Sequence, residues 1–495
     1  MKKYILELTV FLTGAMVMIL ELVGSHIFAP YVGTSTIVWT SLIGIILASL
    51  SLGYWLGGKA ADRRSQLGVL AGILVIAAIF VVLTAFLNQT ILEVLVATVP
   101  DVRVNTLLAG LLLFVPATLF LGMVSPYAVR LKIQAVETSG STVGRLSALS
   151  TLGSIVGTFL TGFVLFGYFS SVEILLSVAV VLIILSLLIW ISKWQPRILL
   201  LILVLISFSA HQEIVAAQVS VGFIDQDTPY NRVWIYPAYL NDEQRLVRMM
   251  TINREASSAI DLNSDELVFK YTRFYNLDAH FRPNLQKALM LGGAGYSYPK
   301  EFLTRFPQAE IDVVEIDPAL TELARQYFRL VDDPRMKIHH EDGRTFLNRS
   351  KEKYDVIYGD AFKSLYAIPF QLATEEAVQK MYDNLADGGV VLANLIGTVE
   401  GIRGQFVRAE YATFKAVFPQ VYLFPVESST DGSAIQNIML VAVKSEEKAS
   451  FLSQNPELQD YLDMLWTKPI AEDKPVLTDD FAPVDRYTTD LILSL

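Results

Sequence analysis

The sequence predicts a multi-span α-helical membrane domain fused to a small β domain and an α/β Rossmann-like domain. Hydrophobic residues make up 53% of the 495 residues, and their excess lies almost entirely before residue 217. Strand-like alternation begins after that point, and a glycine turn between two apolar runs follows at Gly292–Gly295. These changes predict domains at 1–217, 218–280 and 281–495.

Composition excludes several kinds of site. The net charge of −10 provides no basic footprint, so we expect no nucleic-acid partner. The absence of cysteine excludes disulfides, thiolate metal sites and cysteine nucleophiles. Only five histidines occur, and His339-His340 is their one adjacent pair, so no metal site is predicted.

Apolar stretches in the first 217 residues are long enough to cross a bilayer. Six of spanning length lie at 4–28, 36–57, 67–87, 105–126, 145–168 and 171–191, and a shorter one lies at 197–213. The first stretch is long for a signal peptide and lacks a clear cleavage site, so we interpret it as a retained helix. The expected partner of this domain is the lipid bilayer, crossed six to seven times.

The basic residues between these stretches fall in alternate loops, which the positive-inside rule assigns to the cytoplasm. They are Lys2, Lys3, Lys59, Arg63, Arg64, Arg130, Lys132, Arg145, Lys193 and Arg197. If 197–213 spans the membrane, the following domain emerges outside; if it is re-entrant or interfacial, that domain stays inside. The stretch is short and ends in His211-Gln-Glu213, so either arrangement is open. Because the co-substrate implied by the motifs described below is cytoplasmic, we expect a cytoplasmic domain in a multi-pass membrane protein.

A carboxylate lies within the first apolar stretch. Glu21 would be costly to place in lipid, so it indicates either a functional role or a hydrogen bond to a neighbouring helix. His26 follows just over one helical turn later and is a candidate partner.

The remaining chain predicts β structure followed by alternating strands and helices. Val219–Ile224 and Asn231–Tyr236 alternate apolar and polar residues around a turn at Asp227–Tyr230, which is typical of a β-hairpin. From Lys287 onward strand and helix patterns alternate, which predicts a mostly parallel, doubly wound sheet.

The glycine turn and the carboxylate after the next strand indicate a nucleoside site. Gly292, Gly293 and Gly295 let the backbone approach a ligand closely. Glu315 ends the second strand, where a carboxylate can accept both ribose hydroxyls, although it could also be a surface charge. Asp317 is expected to cap the helix that begins at Pro318.

Two further carboxylates end the third and fourth strands. Asp342-Gly343 could accept a hydrogen bond from an adenine amine or simply form a turn. Asp360 follows the fourth strand and is placed for general-base chemistry, with a helix cap as the alternative.

Together these motifs resemble the spermidine synthase (polyamine aminopropyltransferase) family over roughly residues 218–445. The resemblance is carried by Gly292–Ser297, Val314–Asp317, Glu341–Arg344 and Tyr354–Asp360. It implies a fold of the S-adenosylmethionine-dependent transferase type. It also implies that Glu315 holds the ribose, Asp342 the adenine, and that Asp360 accepts a proton from the attacking amine.

Other residues match the family only in part. Tyr230 and Asn231 resemble a hairpin segment that the family places over the nucleoside, with Asn231 in place of a glutamine. The family carries an aspartate, which holds the donor's ammonium, where this chain has Gly295. It also carries an acidic residue where this chain has Lys363. Because a lysine attracts a carboxylate, these departures favour S-adenosylmethionine over its decarboxylated form as donor.

The sequence thus predicts an integral membrane transferase that alkylates an amine, such as a polyamine, with an S-adenosyl nucleoside as co-substrate and no permanently bound cofactor. One alternative is a methyltransferase or another S-adenosylmethionine-consuming enzyme. Another is a transporter or sensor regulated by nucleoside binding. Expected partners are a small-molecule amine or other nucleophile, and a homodimer remains open.

Overall fold

The computed structural model describes residues 4–99, 101–133, 139–190, 192, 194–240, 245–253, 255–264, 266–361 and 368–492. The chain divides into two units, Met1–Trp234 and Ile235–Leu495, and each is described by itself. The domain limits expected at residues 217 and 280 differ from this division and stay predictions.

The first unit is built from long helices. They are α1 (Ile5–Val32), α2 (Thr36–Arg63), α3 (Leu67–Thr98), α4 (Val102–Leu113), α5 (Val115–Lys132), α6 (Ser139–Leu160), α7 (Ser171–Ile189) and α8 (Trp194–Ser220). A π-helical turn, Thr161–Leu165, continues α6 into a last turn at Phe166–Tyr168. Within the described residues, six helices are long and apolar enough to cross a membrane, or seven if α4 and α5 form one span. The prediction of apolar helices is confirmed.

A proline explains why α4 and α5 meet at an angle of 54°. Pro116 stands in the first turn of α5, where it has no N–H and its ring displaces the preceding carbonyl groups. Hydroxyls of neighbouring helices satisfy the carbonyls at the break. Thr84 donates to Leu113 O at 2.6 Å, and Ser49 donates to Val115 O at 3.0 Å.

Helix α8 is longer than the sequence suggested. The expected short stretch at 197–213 lies inside a helix of 27 residues, Trp194–Ser220. The predicted strand at Val219–Ile224 is therefore wrong at its start, since the helix includes Ser220 and the strand begins at Ile224.

Glycines let helices of the first unit pack with their backbones in contact. A Cβ atom at Gly153 of α6 would lie 1.9 Å from Phe11 O of α1, and one at Gly157 would lie 2.4 Å from Ala15 O. The helices can therefore approach this closely only without side chains at these two positions.

A buried ion pair joins three helices of the first unit. Glu7 of α1 is buried, accepts a hydrogen bond from Lys132 of α5, and lies 3.6 Å from the Arg145 guanidinium of α6. Two cations around one carboxylate offset the cost of its desolvation.

The two polar residues predicted inside the first span lie further along α1. Glu21 is half-buried, and the His26 ring stacks on Phe166 with 3.8 Å between ring centres. The pairing of Glu21 with His26 stays a prediction.

The strands lie at the end of the first unit and through the second. They are β1 (Ile224–Asp227), β2 (Arg232–Leu240), β3 (Arg245–Ile252), β4 (Glu255–Asp261), β5 (Lys287–Leu291), β6 (Glu310–Val314), β7 (Met336–His339), β8 (Tyr354–Gly359), β9 (Leu385–Gly397), β10 (Gln420–Pro425) and β11 (Gln436–Val443). In the second unit β3 pairs with β4 in antiparallel fashion, with a register shift after Met250.

The main sheet has seven strands in the order β10-β11-β9-β8-β5-β6-β7. Strands β5 to β9 pair in parallel, whereas β11 is antiparallel to both β9 and β10, so the sheet is mixed. The predicted strand segments lie in β5 to β10, and β11 was not predicted. The chain runs from β5 to β6 and β7 on one side, and then returns to β8 on the other side of β5. This reversal of strand order opens a crevice at the carboxyl end of β5.

Helices connect the strands of this sheet, as expected for a Rossmann-like fold. They are α9 (Ser297–Arg305), α10 (Pro318–Tyr327), α11 (Gly343–Arg349), α12 (Glu375–Asn384) and α13 (Gln405–Val417), followed by α14 (Pro456–Leu462) and α15 (Val484–Ile492). Two short helices, Lys270–Phe274 and Asp278–Phe281, precede β5.

We expect Gly153→Ala to lower the stability of the first unit by roughly 1–3 kcal/mol, because the new methyl group forces α1 and α6 apart. Thermal unfolding in detergent measures the change. Gly72→Ala is the matched control, since no atom lies within 4 Å of a Cβ at that position. Equal melting temperatures for the two variants would contradict the close packing of α1 on α6.

Candidate active site

The glycine turn follows β5 and lines the crevice. Gly292 has φ +97°, and a Cβ there would approach the Asp360 carbonyl carbon to 3.3 Å, so both conformation and space require glycine. Ala294 and Tyr296 also have positive φ, 43° and 55°, which is uncommon for residues with side chains. The turn is therefore held in a conformation that needs support from elsewhere.

Glu315, at the end of β6, provides that support. Its buried carboxylate accepts hydrogen bonds from the amides of Gly293 and Ala294 at 2.9 Å and of Asp317 at 3.0 Å. Burial raises the pKa of Glu315 above its ordinary value, although the three amides favour the charged form. A carboxylate has about four acceptor positions and three are occupied by amides, so one position is left where two ribose hydroxyls were expected. The contact with ribose stays a prediction.

Two aspartates cap the helices that follow β6 and β7. Asp317 accepts from Ala319 N at 3.1 Å at the start of α10, as expected. Asp342 accepts from Thr345 N at 2.9 Å and caps the start of α11, a role that the expected Asp-Gly turn did not include. Its second oxygen lies 3.4 Å from the Gln371 amide nitrogen, and its predicted contact with adenine stays a prediction.

Asp360, after β8, is held by residues that the sequence did not suggest. Tyr275 donates to its carboxylate at 3.0 Å, and Asn394 of β9 donates at 3.4 Å. Asn437 of β11 donates to Asn394 at 3.0 Å and so fixes the orientation of that amide. Burial, together with the charge of Asp360, raises the pKa of Tyr275 well above its ordinary value, so this phenol remains a donor.

A small pocket lies beside Asp360 and Gly293. Hydroxyl-bearing side chains form much of its wall, and they belong to Ser257, Ser258, Tyr271, Thr272, Ser297 and Tyr298. Among the described residues that line this pocket, Asp360 alone is ionisable as a carboxylate, and none is basic. The pocket therefore suits a ligand with one positive charge and several polar groups.

Ser258 explains why residue 295 is glycine. The Gly295 amide donates to Ser258 Oγ at 2.9 Å. A Cβ at Gly295 would lie 2.6 Å from Ser258 Cβ and 2.9 Å from Phe328 Cδ1. Any side chain at 295 would displace these neighbours, so the hydroxyl of Ser258 takes the position beside the glycine turn.

A buried polar cluster supports the floor of the pocket. Asp278 is fully buried and accepts hydrogen bonds from Tyr298 at 2.8 Å and Tyr358 at 2.5 Å. Arg305 lies 2.9 Å from the same carboxylate and neutralises it. Tyr298 therefore presents a fixed ring to the pocket.

The other predicted site residues are placed differently. Tyr230 and Asn231 belong to the first unit, where their amides donate to Thr228 Oγ1, and their contact with a nucleoside stays a prediction. Gly343 begins α11. Lys363 lies outside the described residues. Within the described part of the chain, no three His, Asp or Glu side chains are grouped as metal ligands.

The mixed sheet and its connecting helices define a Rossmann-like domain of the type found in S-adenosylmethionine-dependent transferases. Residues 272–450 match the model of the spermine/spermidine synthase domain. The second unit therefore contains an aminopropyltransferase-like enzyme domain of the spermidine synthase family, fused to the N-terminal helices. The family expected from the motifs is confirmed.

Individual proteins are similar to parts of this chain. A polyamine aminopropyltransferase of Vibrio vulnificus (strain CMCP6) is 26% identical over 237 residues, which cover 46% of this chain and 77% of that protein. The eEF1A lysine and N-terminal methyltransferase of Bos taurus is 31% identical over 180 residues, covering 34% of this chain and 24% of that protein. A probable spermidine synthase from Corynebacterium glutamicum ATCC 13032 superposes with a TM-score of 0.39 at 24% identity, covering 52% of this chain and 90% of that structure.

We expect Glu315→Gln to destabilise the second unit and to weaken nucleoside binding. Glutamine has one acceptor oxygen, so at least one buried amide loses its partner, at a cost of about 1–3 kcal/mol. Thermal unfolding and calorimetric titration with methylthioadenosine measure the two effects. Glu310→Gln, at the exposed start of the same strand, is the control. Identical behaviour of the two variants would contradict the role of Glu315.

Proposed function

We propose that the second unit transfers an alkyl group from an S-adenosyl nucleoside to an amine, with Asp360 as the proton acceptor. The observation that carries the proposal is the position of Asp360, which lies at the crevice between the glycine turn and the hydroxyl-lined pocket. Its orientation is fixed by Tyr275 and Asn394.

The chemistry follows from this placement. The amine nitrogen attacks the carbon next to the sulfonium, the carbon–sulfur bond breaks, and its electron pair leaves with the thioether. The amine then loses a proton, which the Asp360 carboxylate accepts. Because the sulfonium is already activated, catalysis depends mainly on positioning the two reactants.

The nucleoside is proposed to lie across the carboxyl ends of β5, β6 and β7. Gly292, Gly293 and Gly295 would allow close approach of the backbone, and Glu315 would bind the ribose. Asp342-Gly343 would contact the adenine, and Tyr230, Asn231 and Lys363 are proposed contacts by family resemblance.

Aminopropyl transfer is the first candidate because the domain matches the spermine/spermidine synthase model. Methyl transfer is the second, because one carboxylate in the described pocket lining matches one sulfonium and because the bovine methyltransferase is also similar. The nucleoside product distinguishes them. Methylthioadenosine would identify transfer of the aminopropyl group, or of an aminocarboxypropyl group when S-adenosylmethionine is the donor, and S-adenosylhomocysteine would identify methyl transfer. Binding without turnover would favour a nucleoside-regulated transporter or sensor.

We expect Asp360→Asn to lower turnover by about a hundredfold to ten-thousandfold, because the amide cannot accept the proton. Affinity for methylthioadenosine should change little, since this nucleoside lacks the positive sulfonium that the Asp360 carboxylate faces. Steady-state rates and calorimetric titration separate the two quantities. Asp460→Asn, at an exposed position of α14, is the control. Full activity of Asp360→Asn would refute its role.

We further propose that the site favours S-adenosylmethionine over the decarboxylated donor. The decarboxylated donor carries an ammonium in addition to its sulfonium, and the described pocket lining offers only the Asp360 carboxylate. The tail of S-adenosylmethionine is neutral overall, because its ammonium and carboxylate balance, so a wall of hydroxyls suits it better.

Ser258→Asp should move this preference toward the decarboxylated donor by about tenfold, which corresponds to about 1.4 kcal/mol. Titrations with both donors measure the ratio of dissociation constants. Ser258→Asn, of equal size and no charge, should leave the ratio near that of the unmodified protein. Methylthioadenosine, which lacks the charged tail, reports on nucleoside binding alone. A preference of the unmodified protein for the decarboxylated donor would sink the proposal.

The first unit is proposed to be an integral, multi-pass membrane domain. Its long apolar helices expose many large hydrophobic side chains. In the most apolar 18-residue stretch of α8, only 6% is buried in the protein. Lipid is the environment in which such surfaces are stable.

A further inference from the structure

Contacts within the first unit define two opposite ends of its helices. At one end, the pairing of Glu7 with Lys132 and Arg145 joins the start of α1, the end of α5 and the start of α6. The Tyr127 hydroxyl of α5 lies at the same end, where it donates to Arg64 O and accepts from Gln66 N at 3.2 Å. These bonds add the end of α2 and the start of α3.

The same end also contains the junction of α7 and α8. Ser186, near the end of α7, donates to Ala71 O near the start of α3 at 2.9 Å. Arg197, in the first turn of α8, donates to Trp190 O just after α7. We call this the basic end and the other the far end.

Helix α8 runs from the basic end to the far end. Gln212 in its second half donates to Glu173 in the first turn of α7. The chain that follows α8 stays there, because the Ser171 amide at the start of α7 donates to Asp227 of β1 at 2.6 Å. Helix α8 therefore returns along the full length of α7.

A second contact, with α1, also places the last residue of the first unit at the far end. The ring of Trp234, the last residue of the first unit, lies 6.2 Å from the ring of Tyr31 in the last turn of α1. Since α1 starts at the basic end, its last turn lies at the far end. The chain thus leaves the first unit at the end opposite to the basic loops.

Charge differs strongly between the two ends. Eleven lysines and arginines occur before β1, and ten of them belong by chain order to the basic end, whereas Arg103 alone belongs to the far end. Carboxylates are more numerous at the far end, which carries Glu93, Asp101, Glu173, Glu213, Asp225 and Asp227, whereas Glu7, Asp62 and Glu137 belong by chain order to the basic end.

We infer that the basic end faces the anionic lipid headgroups of the cytoplasmic leaflet, and that the transferase domain begins on the extracytoplasmic side. The inference rests on the proposed membrane insertion of the first unit. Basic residues are attracted to an anionic lipid surface, and their bias sets the orientation of multi-pass proteins. This reverses the cytoplasmic placement expected from the sequence, which required that residues 197–213 did not span.

The consequence concerns access to the site. Donor and acceptor have to reach the crevice from the extracytoplasmic side, or the donor has to be transported across the membrane to that side. An amine found outside the cytoplasm is therefore the class of acceptor that fits this orientation.

The absence of cysteine makes the orientation directly measurable, because each introduced thiol is the sole target of a membrane-impermeant maleimide. Three exposed positions in the full-length chain serve as reporters. They are Ser65→Cys at the basic end, Thr98→Cys at the far end and Lys351→Cys in the second unit. Each variant is labelled in intact and in permeabilised spheroplasts, and carbonate extraction of the same cells tests membrane insertion.

We expect Thr98→Cys and Lys351→Cys to label in intact spheroplasts and Ser65→Cys to label only after permeabilisation. Labelling of Lys351→Cys only after permeabilisation would overturn the inference, whether or not Ser65→Cys behaves in the same way. Release of the protein by carbonate would instead overturn the proposed membrane insertion. Transferase activity is read separately, so neither result is confused with failure of the proposed reaction.

Discussion

The crevice of the second unit depends on the buried carboxylate of Glu315. The glycine turn contains two residues with side chains in the left-handed region, Ala294 and Tyr296, and such a conformation costs about 1–2 kcal/mol per residue. Three amide hydrogen bonds to one carboxylate offset that cost and leave the turn with a single arrangement. Because Gly292 packs against the backbone of Asp360, the position of this proposed proton acceptor depends in turn on the Glu315 carboxylate.

The parts of the site that follow strands were predictable, and the parts brought from a distance were not. Glycine turns, strand-end carboxylates and the cap at Asp317 are local signals, and the structure has them where the sequence indicated. Tyr275 and Asn394 reach Asp360 across 85 and 34 residues of chain, and nothing in their own neighbourhoods marks them. Strand β11 was missed because periodicity does not distinguish a short apolar run in a strand from one in a helix.

The helical half shows a different limit of sequence reasoning. Polar residues at His211–Glu213 interrupt the hydropathy of α8, which made the segment look too short to span. The helix nevertheless continues to Ser220, because its hydrogen bonds depend on the backbone and no glycine or proline intervenes before Gly222. The end of a helix and the end of an apolar stretch are set by different forces, and here they differ by several residues.

The contact between Ser258 and Gly295 couples two positions that are 37 residues apart in the chain. A lineage that acquires a larger residue at 295 first has to lose the side chain at 258, because the two occupy the same volume. The order of mutations is thereby constrained, and sequences with a bulky residue at both positions should be absent among proteins that keep this turn. Covariation of the two positions would then record a change of donor, which makes the pair a marker for sorting relatives by chemistry.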